Sequence, residues 1–444
     1  MLFSRQDLSK LIIPLFLQQM LAVTVGMLDS VMVSSAGEAA VSGVSLVDSV
    51  NLLLVYAFSA LASGGAITIS QALGAKQHSR ASTAAKQLIW VVFVVSCIIA
   101  TIAAIFRQDL LTLIYGNIPA DIRESAQAYF FYTAISYPFL ALHSACASIY
   151  RAAGQSQITL ITSIIINFLN LGGNALLIYQ FNMGAAGAAI ATLISRIVGA
   201  AIMMVCICGK NSPIPIHKLF SFRPHWQLIG QICKIGIPNG IENSIFQLGK
   251  LMTQSLIVTF GTIEIAANAA ANPLTSMQYI PGGAIGMAMT VIVGRCIGAG
   301  EHRQARYYTK VLMGICYASI LIMSIPMCIF SKELVGLYNL SDASSTLCIQ
   351  LVLFHSLCVC TVWPLAFTLA NSFRAASDVR YPMIISVCSM WIFRVGLSYV
   401  FGKMLGLELI GVWLALACDW IFRAIIFTVH YIRGKWLTVY KAVT

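Results

Sequence analysis

Charge is what this sequence has least of. Only 9% of its 444 residues are Asp, Glu, Lys or Arg, against roughly 25% in an ordinary soluble domain, which excludes a soluble globule. Several signatures of chemistry are also missing. There is no H-E-x-x-H for a zinc hydrolase, no G-x-S-x-G for an acyl-transfer nucleophile and no G-x-x-x-x-G-K-[ST] loop to hold ATP. The seven histidines, from His78 to His430, are scattered rather than clustered. An intramembrane enzyme and an ATP-driven pump on this chain alone are therefore unsupported. The 13 cysteines lie almost entirely in apolar runs, and their closest pairs, Cys206/Cys208 and Cys358/Cys360, are one residue too tight for a C-x-x-C site. They read as small buried hydrophobes.

What is present is hydrocarbon. Apolar residues make up 59% of the chain and the mean hydropathy is +0.85. Twelve apolar stretches of about 20 residues can be counted, approximately 11–34, 45–73, 88–106, 127–150, 157–180, 185–208, 235–260, 266–294, 311–330, 346–372, 382–402 and 409–431. They are too long and too uniformly apolar for barrel strands, so they must be helices, which satisfy their own backbone groups where no water can. The first run carries Gln18, Gln19 and Asp29 and is too long for a secretory signal, so it is expected to be a retained span.

The net charge of +12 is a topology signal and not a nucleic-acid footprint. The N-terminus, every second loop and the C-terminus together hold 19 of the 27 basic residues; the opposite loops hold 4, and Arg196, Lys250, Arg394 and Arg423 fall inside spans. Both termini are therefore expected to be cytoplasmic.

The chain also repeats itself. ISQALGAKQHSRA at 69–81 corresponds to VGRCIGAGEHRQA at 293–305, and SIYRAAGQSQ from Ser148 corresponds to NSFRAASDVR from Asn371. In the same register Pro14 meets Pro238 and Gly37 meets Gly261. The expected organisation is an all-α membrane protein of twelve transmembrane helices in two six-helix lobes, 1–208 and 235–431, related by a parallel internal repeat. A polar cytoplasmic linker at 209–234, with Pro213, Pro215, Lys218, Arg223 and Pro224, joins them, and residues 432–444 form a cytoplasmic tail.

Charged and amide side chains within spans are costly, about 2.5–3.5 kcal/mol for an ion at mid-membrane, and each calls for a partner or a function. Asp29 has no Lys or Arg within a helical turn. A desolvated carboxylate there can take up a proton or hold Na⁺ by its oxygens; the plainer reading is an acid reaching water or capping the helix end. Asn170 and Asn174 are four apart and share a helix face, where they can converge on an ion or simply bond between helices. Glu242 and Lys250 lie just over two turns apart on roughly one side of the seventh span. They either line a substrate cavity, with Gln247 and Arg394 as further candidates, or neutralise charge. Asp419 and Arg423, at i and i+4, read as a local ion pair, and Arg196 either neutralises Asp29 or snorkels. Pro281-Gly282-Gly283 and Pro364 interrupt their helices' hydrogen-bond ladders and mark candidate bends.

Several of these stretches look familiar together. GMLDSVMVSSAGEAAVSGVSL (26–46), QALGAKQ, YRAAGQSQ, NLGGNALLIYQFNMGAAGAAIATLISR (170–196), IPNGIENSIFQLGK and NSFRAASDVRYP resemble the multidrug and toxic compound extrusion (MATE) family, over nearly the whole chain and in both halves. The resemblance implies a secondary antiporter of the cell membrane, with two lobes around a central cavity, exporting cationic or amphipathic small molecules in exchange for Na⁺ or H⁺. It implies that Asp29 is the coupling acid, with Asn170, Asn174 and Thr192 as further Na⁺ ligands. Where sodium-binding members hold a second acid this chain has Asn174, which leaves one negative charge and keeps both ions open. The acids that the Na⁺-coupled branch carries in the seventh and tenth spans are also absent, with Phe246 and Gln247 in one place and Trp363 to Phe367 in the other. No cofactor and no nucleic-acid partner is expected, lipid surrounds the chain, and a monomer is the expected state. The runner-up is a flippase for a lipid-linked oligosaccharide, since such proteins share the broader fold.

Overall fold

The computed structural model describes residues 2–35, 37–116, 119–209, 212–216 and 223–440. Lys218 of the expected linker and residues 441–444 of the expected tail lie outside them. Every regular element among the described residues is helical. Ten helices among the described residues are long and apolar enough to cross a membrane, and they carry exposed apolar side chains such as Ile98, Phe168, Val205 and Ile322. Such surfaces are stable against lipid and not against water.

The chain divides into two compact units, Phe3–Gly240 and Ile241–Thr444, with Met1–Leu2 counted to the second. In the first, α1 (Arg5–Ser34) opens with a capping box: the Asp7 amide donates to Ser4 Oγ at 3.2 Å, and the Ser4 amide to Asp7 Oδ2 at 2.8 Å, satisfying two of the orphan N–H groups at a helix start. Then follow α2 (Glu38–Gly74), α3 (His78–Ile105), the short α4 (Arg107–Tyr115), α5 (Ala120–Ala152), α6 (Ser156–Asn174) and α7 (Gly184–Cys208). The core of this unit is built largely from alanines with Phe58, Leu88, Phe130, Tyr137 and Tyr150. Small residues let helix backbones approach where lipid supplies no hydrophobic drive between helices. At Gly64 the approach is to backbone, since a Cβ would stand 2.5 Å from the Ile232 carbonyl oxygen.

Helix α8 (Trp226–Val258) leads from the first unit into the second, which continues with α9 (Thr262–Gln278), α10 (Ile280–Gly298), α11 (His302–Ile329), α12 (Ser331–Gly336), α13 (Asp342–Thr361), α14 (Ala370–Ala375), α15 (Arg380–Ser389) and α16 (Glu408–Arg433). The expected span 266–294 is thus two helices meeting at Tyr279, because Pro281 has no N–H to give to the preceding turn and its ring crowds that turn's carbonyl. Pro364 likewise opens a π-helical turn, Pro364–Thr368. Further π-helical turns occupy Ala175–Gln180, Met390–Gly396 and Tyr399–Met404. Helices α5 and α8 have 33 residues each and are long enough to span, but they are not among the ten apolar ones. Buried Tyr129, Thr133, Ser136, Tyr137 and Ser148 account for the polarity of α5.

Candidate functional site

In the first unit, α6 reaches its last turn at Asn174 and then widens into the π-helical turn Ala175–Gln180. Wide turns of this kind recur at functional sites because they re-aim side chains. Gly173 admits α7 closely, since a Cβ there would stand 2.9 Å from that of Ala191; this brings Thr192 against Asn170. The i, i+4 spacing turns both asparagines toward α1. There Asn174 Nδ2 donates to Asp29 Oδ1 at 2.9 Å.

The Asn170 amide meets the same carboxylate and is satisfied with its nitrogen foremost. It then donates to both Asp29 oxygens at 3.0 Å and accepts from the Thr192 hydroxyl at 3.1 Å, an orientation assigned from the hydrogen-bond network. Turned the other way, its nitrogen donates to Thr192 at 3.1 Å and its oxygen accepts from Asn174 Nδ2 at 3.4 Å while facing the carboxylate, an arrangement that a cation or a proton would relieve. Asn170 and Asn174 are buried and Asp29 half-buried. Asn174 Oδ1 is buried with no hydrogen-bond partner, a free acceptor beside the only formal charge of the group. The structure therefore brings Asp29, Asn170, Asn174 and Thr192 together. These are hard oxygen donors suited to Na⁺. Among the described residues no three His, Cys, Asp or Glu side chains gather in the manner of a transition-metal site.

A second network lies beside this one. Asp48 of α2 accepts from Asn51 Nδ2 at 3.1 Å and from the Tyr129 hydroxyl at 3.0 Å, while Tyr137 donates to Asn51 Oδ1 at 2.6 Å. The Asp48 charge acts on Asp29. Arg196 donates to Ser136 Oγ at 2.6 Å, and its charge acts on Asp48. Sequence reasoning did not assign this network. Its signal was the stripe Tyr129, Thr133, Ser136, Tyr137 at three- and four-residue spacing on α5.

In the second unit Glu242 is held by Arg374, whose Nη2 lies 2.8 Å from both carboxylate oxygens. Its partner is thus in α14 and is not Lys250. Arg374 also donates to Asn371 Oδ1 at 3.0 Å. Asp419 and Arg423 form a fully buried pair at 2.8 Å, supported by Ser389 Oγ donating to Asp419 and by Arg423 donating to the Ser386 carbonyl at 3.1 Å. Lys250 and Arg394 approach a phenyl ring, with Lys250 Nζ 5.3 Å and the Arg394 guanidinium 5.2 Å from the centre of Phe246. Gln247 is half-buried in the same turn. Phe246 is a residue the sequence offered only as an acid's absence.

A helical fold with apolar outer faces, holding polar side chains together on three helices, is that of a multi-pass membrane protein built to move something across the bilayer. The MatE family model matches residues 14–176 and again 238–400, and the chain belongs to the multidrug and toxic compound extrusion family. It is 26% identical to the probable multidrug resistance protein NorM of Thermotoga maritima, over 97% of this chain and 93% of that protein. It is likewise 26% identical to the uncharacterized transporter YisQ of Bacillus subtilis, over 96% and 93%. Solved structures share the fold at 18% identity. A MATE protein in a bent conformation superposes with a TM-score of 0.90 over 98% of this chain and 96% of its own. A MOP superfamily transporter from Pyrococcus furiosus, described as having a binding pocket of reverse polarity, does so equally.

Proposed function

We propose that the chain is a secondary antiporter of the cell membrane that exports cationic or amphipathic small molecules in exchange for Na⁺ or H⁺. In this reading twelve helices span the bilayer as two six-helix lobes, both termini are cytoplasmic, and the monomer works by alternating access. The family and the NorM relatives support drug efflux, and none of the relatives reported above favours the flippase alternative.

The observation that carries the coupling step is Asp29 held by the neutral amides of Asn170 and Asn174. An ionised Asp29 docks α1 onto α6 through charge-assisted hydrogen bonds. A proton or Na⁺ arriving at the carboxylate competes with those donors: the proton removes the charge, and Na⁺ turns the amide oxygens toward itself, with the Asn174 oxygen and the Thr192 hydroxyl available to complete its shell. Occupancy thus changes how well α1 docks on α6, and an ion can drive a transition only by binding its two states unequally.

The test uses the purified protein in proteoliposomes loaded with ethidium under an imposed gradient of Na⁺ alone or of H⁺ alone. Uphill ethidium movement under one gradient, abolished when that gradient is collapsed, is the expected result. Movement under neither gradient, with downhill exchange intact, overturns the antiporter reading.

A further inference from the structure

The coupling step leaves a charge imbalance in the second unit unused. Of the four cations of this unit described above, Arg374 is neutralised by Glu242 and Arg423 by Asp419. Lys250 and Arg394 have no such partner: among the described residues neither side chain makes an ion pair or a hydrogen bond, although the Asp419 charge also acts on Arg394, and Lys250 is exposed. They converge because Gly249 lets α8 touch the π-helical turn that carries Arg394: a Cβ there would stand 2.4 Å from Met390 Cε. The two cations repel each other, and Arg423 adds a third over the same ring at 5.6 Å. The face of one phenyl ring offsets only part of that repulsion, and spans do not hold unpaired charges without a function.

An aromatic run leads away from the cations. Phe246 meets Phe367 edge-on at 6.2 Å, Phe367 stacks on Trp363 at 5.2 Å, and Trp363 stacks on Tyr279 at 5.6 Å. Gly282 permits this, because a Cβ there would run into the Trp363 ring at 2.1 Å.

We infer that Lys250 and Arg394 form an anion-binding site, which takes the carboxylate, sulfonate or phosphate of an aromatic amphiphile whose ring system lies against the part-exposed Phe246 and Phe367, with Trp363 and Tyr279 stacked behind them. The guanidinium supplies a planar fork for two oxygens and the ammonium a point charge, so the bound anion cancels the repulsion that the empty site carries. This deepens the exporter reading and rests on it for transport; binding itself does not depend on it. It adds anionic aromatic compounds to the substrates.

The experiment measures binding of 1-pyrenesulfonate and of 1-pyrenemethylammonium to the full-length protein in phosphatidylcholine nanodiscs, by fluorescence anisotropy corrected with empty nanodiscs. The sulfonate should bind saturably and at least about tenfold tighter than the ammonium compound, a comparison that needs no variant. Arg394→Gln and Lys250→Gln should each weaken sulfonate binding by about tenfold, and Arg394→Lys should retain most of it. Equal binding of the two probes, or wild-type sulfonate binding in both Gln variants, overturns the proposal. Adding phosphatidylglycerol separates two sources of the anion. Displacement of the probe assigns the site to a lipid head group, and persistence assigns it to soluble amphiphiles; both support an anion site. Absence of gradient-driven transport would sink the antiporter reading and leave this binding result standing.

Discussion

Replacing Asp29 with Asn tests the coupling step most directly, and the structure sets its size. The ionised carboxylate receives one hydrogen bond from Asn174 at 2.9 Å and, with the Asn170 nitrogen foremost, two more at 3.0 Å. Hydrogen bonds to a charged group contribute about 1.5–3 kcal/mol each and neutral ones about 0.5–1.5 kcal/mol. Discharging the carboxylate therefore weakens the α1–α6 contact by roughly 1 kcal/mol per bond, or about 3 kcal/mol in all. That is about a hundredfold change in the ratio of two conformations, within the usual range for allosteric coupling.

Asn at position 29 is permanently uncharged and offers one acceptor oxygen and one misplaced donor. The variant should resemble the discharged state whatever the ion gradient. In proteoliposomes, gradient-driven accumulation of ethidium should fall to background. Counterflow, the exchange of labelled for unlabelled substrate with no gradient, should stay within a few-fold of wild type, which shows that the protein is folded and binds. Uphill accumulation that survives in Asp29→Asn would refute the reasoning, since the coupling would then have to run through another group.

Three further outcomes follow from the contacts. Thr192→Val keeps the shape of the side chain and removes the hydroxyl that meets Asn170 at 3.1 Å; the coupling-ion concentration for half-maximal transport should rise by about tenfold, with Thr192→Ser near wild type. Arg374→Ala strands a buried Glu242 carboxylate and should destabilise the protein by about 3–5 kcal/mol, whereas Glu242→Gln with Arg374→Gln should recover part of the loss in thermal unfolding followed by Trp fluorescence. Gly64→Val drives a Cβ against the Ile232 carbonyl at 2.5 Å, and backbone cannot step aside, so at least about 1–3 kcal/mol is lost; Gly26→Ala, with nothing within 4 Å, should be neutral or better in the same assay.

The helices were legible because hydrocarbon allows a spanning chain little else, so run length and polarity carried most of the reading. Detail failed where two effects share one stretch. The run through Tyr279 is continuous by hydropathy and counts as one span, yet the Pro281 interruption that the sequence marks as a bend divides it into two helices, since proline geometry and not apolarity decides where a ladder of hydrogen bonds can continue. Helix α5, counted as a span from its sequence, shows the converse, with Tyr129, Thr133, Ser136 and Ser148 turned inward and lowering an average that says nothing about which face they occupy. The site divides in the same way. Spacing placed Asn170 and Asn174 on one face, but contact with Asp29, 145 positions from Asn174, is a matter of packing. The partner of Glu242 was hidden for that reason too: Arg374 stands 132 positions away in a stretch that reads as a loop end.

The neighbours of each acid decide which one can exchange an ion. Glu242 meets a guanidinium at both oxygens, and Asp419 is bonded to Arg423 and Ser389 with neither partner exposed. An ion arriving at Glu242 would have to displace a fixed cation and leave it buried, which costs several kcal/mol, and at Asp419, whose Oδ2 is buried without a partner, Na⁺ would meet the adjacent Arg423 charge. Asp48 is bonded only to neutral groups but feels the charge of Arg196. Asp29 has neutral amides and a neighbouring acid whose repulsion favours occupancy. Amides can present nitrogen to an anion or oxygen to a cation by a half-turn of one torsion. A carboxylate ringed by them meets nitrogen when ionised and shares a bound cation with oxygen when occupied, with a single negative charge to neutralise.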